Sequence, residues 1–259
     1  MRVSLLGPMA IHSTQGTFAV RGERLCTLLA LLASASPSIV SSATLVGAIW
    51  PRRTPEKADN ALHALMSRLR RDLDSACGAG FANARVVTGR PGYGLRLGES
   101  EVDSHLFDRL CAEARALGGE EAVGLYERAL SLWRGPALGG VSDSAWLRGV
   151  RARLEEGRLA AASEKIDIQL VLGDHVQVLC ELQELTAVYS VHEGFSRQLM
   201  IALYRAGRQT EALTEYARIR RALREGQGVE PSPPLRECLA AVLRHDIPSV
   251  DSLLPASAA

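Results

Sequence analysis

The sequence predicts a mainly helical chain in two parts, of which only the first contains β-strands. Short apolar runs separated by glycine and proline turns occur only before residue 99. From there, helical periodicity continues to about residue 245. The charge changes at the same place: residues 1–98 carry 12 basic and 5 acidic side chains, net +7, whereas residues 99–259 carry 18 and 24, net −6. We therefore expect two domains with different partners, the first of which is basic enough to bind a polyanion.

The composition also excludes several classes of protein. With 259 residues, 47% of them hydrophobic, the chain can bury a sizeable core. The longest apolar run, from Leu25 to Ala35, is too short to span a bilayer, and the N-terminus has no signal-peptide pattern. The five cysteines are scattered without a C-x-x-C pair, which favours reduced thiols over disulfides or a zinc site. We expect a soluble, cytoplasmic protein that does not bind membranes.

The first part begins with a predicted small antiparallel sheet. Three short apolar runs separated by turn residues indicate its strands: residues 2–6, 9–12 and 17–20. Two helices follow, from Arg24 to Ala35 and from Ala43 to Trp50, and each is ended by a nearby proline. Ser41 or Ser42 can cap the second of them.

The third predicted helix, from Lys57 to Leu73, is amphipathic and basic. Its apolar residues form one stripe: Ala58, Leu62, Leu65, Met66, Leu69 and Leu73. The opposite face has a small polar centre and cationic flanks, formed by Asn60, His63, Ala64, Ser67 and Arg71, with Lys57, Arg68 and Arg70. Such a face suits a recognition helix, whose centre approaches base edges while its flanks reach phosphates. The same pattern is also typical of an ordinary solvated helix face.

A predicted β-hairpin completes the first part. After a loop rich in glycine and alanine at residues 76–84, β-like runs extend from Arg85 to Thr88 and from Tyr93 to Leu97. The proline-glycine turn between them carries Arg90 at its tip. A small sheet, three helices and a hairpin in this order make a winged helix, which places its third helix in the DNA major groove and its wing on the flanking backbone or minor groove.

The second part repeats a helical pattern. A glycine is followed by leucine six residues later and glutamate eight residues later, starting at Gly119, Gly173 and Gly207. The last two copies are 34 residues apart, the period of a tetratricopeptide helix pair, so we expect an all-α stack of antiparallel helix pairs. A longer insertion after the first copy holds a loop from Arg134 to Ser144 and a long helix from about Trp146 to Leu172. The predicted domains are residues 1–98, 99–247 and a flexible tail, 248–259.

Site chemistry typical of enzymes is missing from the sequence. Neither of the two lysines follows G-x-x-x-x-G, so a Walker A loop is excluded. Residues 140–144 resemble a nucleophile elbow but end in serine rather than glycine. The histidines include no H-x-x-x-H pair. We predict a protein that is not an enzyme and that has no cofactor or metal site.

Five stretches of sequence, in a specific order, connect the chain to a known family. They are RVSLLGP at residues 2–8, residues 45–50 with SRLRR at 67–71, VVT at 86–88 with PGY at 91–93, LSLWRGP at 130–136, and LYRAGRQTEAL at 203–213. Together they resemble the short type of the Streptomyces antibiotic regulatory protein family, in which an OmpR-type winged helix is joined to a bacterial transcriptional activation domain.

The resemblance implies a transcriptional activator of a secondary-metabolite gene cluster. Such a protein binds double-stranded promoter DNA at direct repeats, usually as a pair, and recruits RNA polymerase with its sigma factor. The family's recognition-helix contacts match Asn60, His63, Ala64, Ser67, Arg68, Arg70 and Arg71, and its wing contact matches Arg90. The helix face adds Lys57 as a further phosphate contact. The alternative is an interaction adaptor that uses only its tetratricopeptide-like repeats and does not bind DNA.

Overall fold

The predicted fold class is confirmed by a computed structural model, which describes residues 1–141 and 143–246. Its strands are β1 (Arg2–Ser4), β2 (Ala10–Ser13), β3 (Gly16–Ala19), β4 (Ile39–Ser41), β5 (Val86–Gly89) and β6 (Gly92–Leu95). Its helices are α1 (Glu23–Ser34), α2 (Ser42–Ile49), α3 (Ala58–Cys77), α4 (Phe81–Arg85), α5 (Asp103–Leu117), α6 (Gly119–Leu130), α7 (Ala145–Leu172), α8 (Val178–Val188), α9 (Glu193–Arg205), α10 (Gln209–Gln227) and α11 (Pro233–Arg244). The predicted tail, residues 248–259, lies outside the described residues.

Two elements differ from the sequence prediction. The segment predicted as a glycine- and alanine-rich loop contains the short helix α4, whose residue Ala82 is buried. The Ala82 N–H donates to the Asp74 carboxylate at 2.7 Å, so an acid on α3 satisfies the start of α4. Strand β4 could not be predicted from the sequence. With three residues and one buried side chain, it is too short to show the alternation of apolar and polar residues.

The six strands form two small antiparallel sheets. The first has the order β1-β2-β3, and the second has the order β4-β6-β5. In the second sheet, β6 pairs on both sides, while β5 is an edge strand. Gly89 pairs with Gly92, so the hairpin loop consists of Arg90 and Pro91 and not of the proline-glycine pair that the sequence suggested.

Gly92 is required by the close approach of β4. A Cβ atom there would lie 2.0 Å from the Val40 carbonyl oxygen and 2.8 Å from the Ser42 nitrogen. The neighbouring backbone is further tied to the hairpin loop, since the Ser42 N–H donates to the Pro91 carbonyl at 3.1 Å. The hairpin therefore pairs directly with the segment that begins α2.

A helical core lies beneath these sheets. Helix α1 contacts α2, α3 and strands of the second sheet. It is apolar on nearly every side because it is covered on nearly every side, with residues 25–33 all buried. Helix α2 begins with the predicted serine cap: the Ser41 hydroxyl accepts a hydrogen bond from the Thr44 N–H at 3.1 Å.

The chain folds into two compact units. The first comprises Met1–Ala112 and Arg128–Leu159, and the second comprises Glu113–Glu127 and the described residues from Ala160 onward. The first unit thus contains the winged helix together with parts of α5, α6 and α7. Among the described residues, no helix has the length and apolarity needed to cross a membrane.

Asp103 joins the winged helix to the rest of the first unit. Its carboxylate is 2% exposed and accepts hydrogen bonds from the Leu5 N–H at 2.7 Å and the Leu6 N–H at 3.2 Å. Arg134 forms an ion pair with it at 3.3 Å. Burial raises the pKa of the Asp103 carboxyl, and these partners offset that effect only in part.

Backbone hydrogen bonds extend this junction. The Arg134 N–H donates to the Leu6 carbonyl at 2.8 Å, and the Leu138 N–H donates to the Leu5 carbonyl at 2.8 Å. The start of the predicted loop, residues 134–139, therefore runs alongside the segment that follows β1. It acts as an additional strand-like partner for residues that would otherwise carry unpaired backbone groups.

The second unit is a stack of helices. Helix α9 contacts α8, α10 and α11, and its fully buried residues include Phe195, Ile201 and Ala202. The glycine that starts each predicted repeat has a positive φ, at 61° for Gly119, 92° for Gly173 and 75° for Gly207. Each lies at or shortly before the start of a helix, where a residue with a left-handed backbone lets the chain reverse direction.

Replacing Gly92 with alanine should destabilise the first unit by about 1–3 kcal/mol, because the new methyl group overlaps backbone that cannot move aside freely. Urea unfolding followed by tryptophan fluorescence measures this, since Trp50, Trp133 and Trp146 all lie in the first unit. Gly89→Ala is the matched control: its Cβ would meet only the end of the Ile39 side chain, at 3.3 Å, and should change stability by less than about 0.5 kcal/mol. Equal effects of the two substitutions would contradict the close approach at Gly92.

Replacing Asp103 with alanine should cost the first unit about 2–6 kcal/mol, because two buried N–H groups lose their acceptor at about 1–3 kcal/mol each. The same fluorescence measurement reports it. Asp108→Ala is the control, since that residue forms only an exposed ion pair with Arg153 and should change stability by at most about 1 kcal/mol. If Asp103→Ala unfolds at the wild-type urea concentration, the junction does not depend on this carboxylate.

Candidate nucleic-acid interface

Helix α3 buries one face and exposes the other, as its sequence pattern predicted. The residues Leu62, Met66, Leu69, Leu73 and Ala76 are buried. The helix starts one residue later than predicted and continues one turn further, to Cys77. Lys57 is the N-cap residue, and its exposed side chain makes no capping hydrogen bond. Burial of one stripe fixes the rotation of the helix, so its polar face must point away from the core.

The predicted recognition residues lie on that outward face. Six of them are exposed on α3: Asn60, His63, Ala64, Ser67, Arg68 and Arg71. Within residues 1–141 and 143–246, no protein group forms a hydrogen bond or an ion pair with the side chains of Asn60, Ser67 or Arg71. Their donors and acceptors are therefore available to a ligand. The small Ala64 between them leaves room for a flat surface to approach.

Arg68 connects α3 to the start of α1. Its Nη2 donates to the Arg21 carbonyl oxygen at 3.2 Å, across 47 residues of sequence. A guanidinium group has five N–H donors, so most of them remain free for other acceptors. The Arg24 guanidinium lies 5.8 Å from the centre of the ring of Trp50, the C-cap residue of α2.

Arg70 and His63 differ from the other predicted residues because both contact the β5–β6 hairpin. Arg70 is half-buried, and its Nη2 donates to the Thr88 hydroxyl oxygen at 2.8 Å. The His63 ring packs edge-on against Tyr93, with ring centroids 6.2 Å apart. Sequence reasoning missed Thr88 and Tyr93, because side-chain contacts across 18 and 30 residues depend on tertiary placement. From the sequence pattern of the hairpin, it could be predicted only that Thr88 and Tyr93 lie opposite each other on neighbouring strands.

Arg90 lies at the tip of the hairpin, as predicted. It is exposed, and in the part of the chain that the structure describes no protein acceptor or carboxylate contacts its side chain. By contrast, Arg85 at the base of the hairpin is held by Glu101 at 2.8 Å and is not free for a ligand. The structure therefore brings His63 and Arg70 together with the hairpin, while Arg90 stands alone at its end.

The charged α3 residues predicted to contact DNA, Arg68, Arg70 and Arg71, are all cations, which suits a polyanionic ligand. The described residues contain no group of three His, Cys, Asp or Glu side chains that could hold a metal ion. Burial raises the pKa of the Cys77 thiol at the end of α3, which favours the neutral thiol over the thiolate.

Comparison with known proteins assigns each of the two parts of the chain to a known family. The family described as "Transcriptional regulatory protein, C terminal" matches residues 21–95, and the family described as "Bacterial transcriptional activator domain" matches residues 102–243. The chain is 34% identical to Transcriptional regulator RedD of Streptomyces coelicolor, covering 95% of this chain and 71% of RedD. It is 32% identical to Regulatory protein DnrI of Streptomyces peucetius, covering 97% of this chain and 94% of DnrI.

A solved structure supports the same assignment. That structure is Mycobacterium tuberculosis EmbR in complex with a low-affinity phosphopeptide. The match covers 99% of this chain and 69% of the EmbR chain, with a TM-score of 0.91 and 25% sequence identity. The matched families and relatives are transcriptional regulators and not enzymes. The two matched families in this order, the exposed face of α3 and the β5–β6 wing identify the chain as a member of the Streptomyces antibiotic regulatory protein family, of the short type.

Proposed function

We propose that this chain activates transcription of a secondary-metabolite gene cluster by binding direct repeats upstream of its promoters. The observation that carries the proposal is the outward face of α3, whose polar and basic side chains have free donors opposite a buried apolar stripe. A helix of this kind fits the DNA major groove, and the β5–β6 wing reaches the flanking backbone or minor groove.

The nine predicted residues take different roles in this proposal. Asn60, His63 and Ser67 are short polar side chains suited to base edges. Ala64 allows the helix to approach the bases closely. The long cations contact phosphates on either side of the groove: Lys57 at the N-cap of α3, and Arg68, Arg70 and Arg71 on the helix. Arg90 contacts a phosphate from the wing.

Binding to direct repeats places two chains in the same orientation along the DNA. The repeats should then lie about one helical turn apart, about 10–10.5 base pairs from centre to centre. We further propose that the bound pair recruits RNA polymerase with its sigma factor in the bacterial cytoplasm. Residues 1–98 supply the DNA-binding domain and residues 99–247 the activation domain, a division that the matched family ranges support.

An adaptor function remains a second candidate because the second unit contains an open groove. It has a volume of about 530 Å³ and lies among α8, α9 and α10. An adaptor that uses this groove alone would elute from a DNA column at low salt, whereas a DNA-binding activator would be retained to high salt.

Selection of duplexes from a random-sequence pool tests the proposal directly. The full chain should enrich two copies of one motif in the same orientation. Asn60→Ala should enrich the same motif with relaxed preference at one position in each copy, worth about 1–3 kcal/mol, because the hydrogen bond to a base edge is removed. Quantitative binding of single-base variants of the selected duplex measures the difference. If the wild-type pool stays random after repeated rounds, sequence-specific binding is ruled out.

Replacing Arg68, Arg70 and Arg71 together with alanine should weaken binding to all duplexes. The slope of log affinity against log salt should become shallower by about 0.9 for each phosphate that the protein no longer neutralises. The matched control replaces three arginines of α10 in the second unit, Arg220, Arg221 and Arg224, which changes the net charge equally. That variant should keep the wild-type affinity and slope. Equal losses in the two triple variants would show that charge alone, and not the α3 face, determines binding.

A further inference from the structure

One cross-strand pair of the wing contacts two side chains of α3. Thr88 on β5 faces Tyr93 on β6 in the register of the hairpin. Arg70 donates to the Thr88 hydroxyl, and His63 packs against the Tyr93 ring. The two helix residues are seven positions apart, or two turns, so they lie on one side of α3. Two residues on one side of α3 thus contact one cross-strand pair of the wing.

The two strands of the wing are supported unequally. Strand β6 pairs with β4 and β5, so its backbone is fixed on both sides. Strand β5 is an edge strand, and its outer side has no β partner among the described residues. Thr88 is exposed and lies only two residues before Arg90 at the tip. The hydrogen bond from Arg70 therefore holds β5, the less supported strand, close to the charged Arg90 at the tip.

We propose that Thr88 is a positioning residue for DNA binding, which sets the place of Arg90 by holding β5 against Arg70. This inference rests on the proposed function, because it requires that α3 and the wing contact one duplex. Thr88 itself is not required to touch DNA. Its hydroxyl accepts one of the five N–H groups of Arg70, and the remaining donors stay available for a phosphate. A single guanidinium then links the docking of the helix to the placement of the wing tip.

Thr88→Val is the sharpest substitution for testing this role. Valine keeps the β-branched shape that suits a strand but removes the hydroxyl oxygen that accepts from Arg70. Because Thr88 is exposed, the change does not alter the core. Tyr93 is 5% exposed and packs in the interior, so its replacement would remove the ring that His63 packs against and also lower the stability of the fold.

The experiment is a double-mutant cycle with Arg90→Ala, using the full chain and a duplex that the wild type has selected from a random pool. Thr88→Val should lower affinity about three- to tenfold, within the range of coupling between linked residues. Arg90→Ala should lower wild-type affinity by a similar factor and reduce the salt slope by about 0.9. In the Thr88→Val chain, Arg90→Ala should change affinity less than about twofold and leave the slope unaltered. Thr88→Ser, which retains the hydroxyl, should bind as the wild type does.

A control separates wing placement from general charge. Arg96 is an exposed arginine just beyond the end of β6, at the opposite end of the hairpin from the tip. Arg96→Ala should have the same effect in the wild-type and Thr88→Val chains. Hydroxyl-radical footprints provide a readout that a loss of stability would not reproduce. Thr88→Val should lose protection of the backbone on the wing side of each repeat while retaining it on the backbone that borders the central major groove. Thr88→Ala provides a second variant with the same expectations.

Two results would overturn the inference while leaving the proposed function intact. One is additivity, in which Arg90→Ala costs as much affinity in the Thr88→Val chain as in the wild type. The other is a Thr88→Val footprint and affinity equal to those of the wild type. If the wild type itself selects no duplex, the proposed function fails, and the inference fails with it.

Discussion

Burial of the apolar stripe of α3 is the constraint on which the interface depends. Leu62, Met66, Leu69 and Leu73 occupy successive turns and are almost completely enclosed. Rotating the helix by one residue would expose leucine and bury arginine, and both changes cost free energy. The outward direction of the polar face therefore follows from packing on the inward side. The residues that read DNA in the proposed function are held in place by residues that never approach it.

The elements that the sequence predicts well are those with enough residues to show a period. The apolar α1, the amphipathic α3 and the long α7 extend over many turns, and their predicted ranges lie close to the observed ones. Strand β4 is too short to show a period, and α4 depends on an acid supplied by α3. Secondary structure can thus be predicted where local pattern is sufficient, but not where a distant group completes the element.

The candidate site shows the same division at the level of side chains. The exposure of Asn60, Ser67 and Arg71 follows from helical geometry alone and could be predicted from the sequence. The hydrogen bond between Arg70 and Thr88 could not, because it depends on how the hairpin returns to the helix. An arginine predicted only as a phosphate ligand thereby has a second partner within the protein. Such a contact can be found only in a structure, because no sequence pattern distinguishes an arginine that is free from one that is bonded to another part of the protein.

The junction at Asp103 bears on where this chain can be joined to the sequence of a relative. Charge changes sign near residue 98, yet the first compact unit continues to Ala112 and also includes Arg128–Leu159. Leu5 and Leu6 take their hydrogen-bond partners from Asp103, Arg134 and Leu138. In a chimera joined at residue 98, Leu5 and Leu6 would come from one parent, and their partners Asp103, Arg134 and Leu138 would come from the other. A chimera should therefore be most stable when Leu5 and Leu6 come from the same parent as Asp103, Arg134 and Leu138.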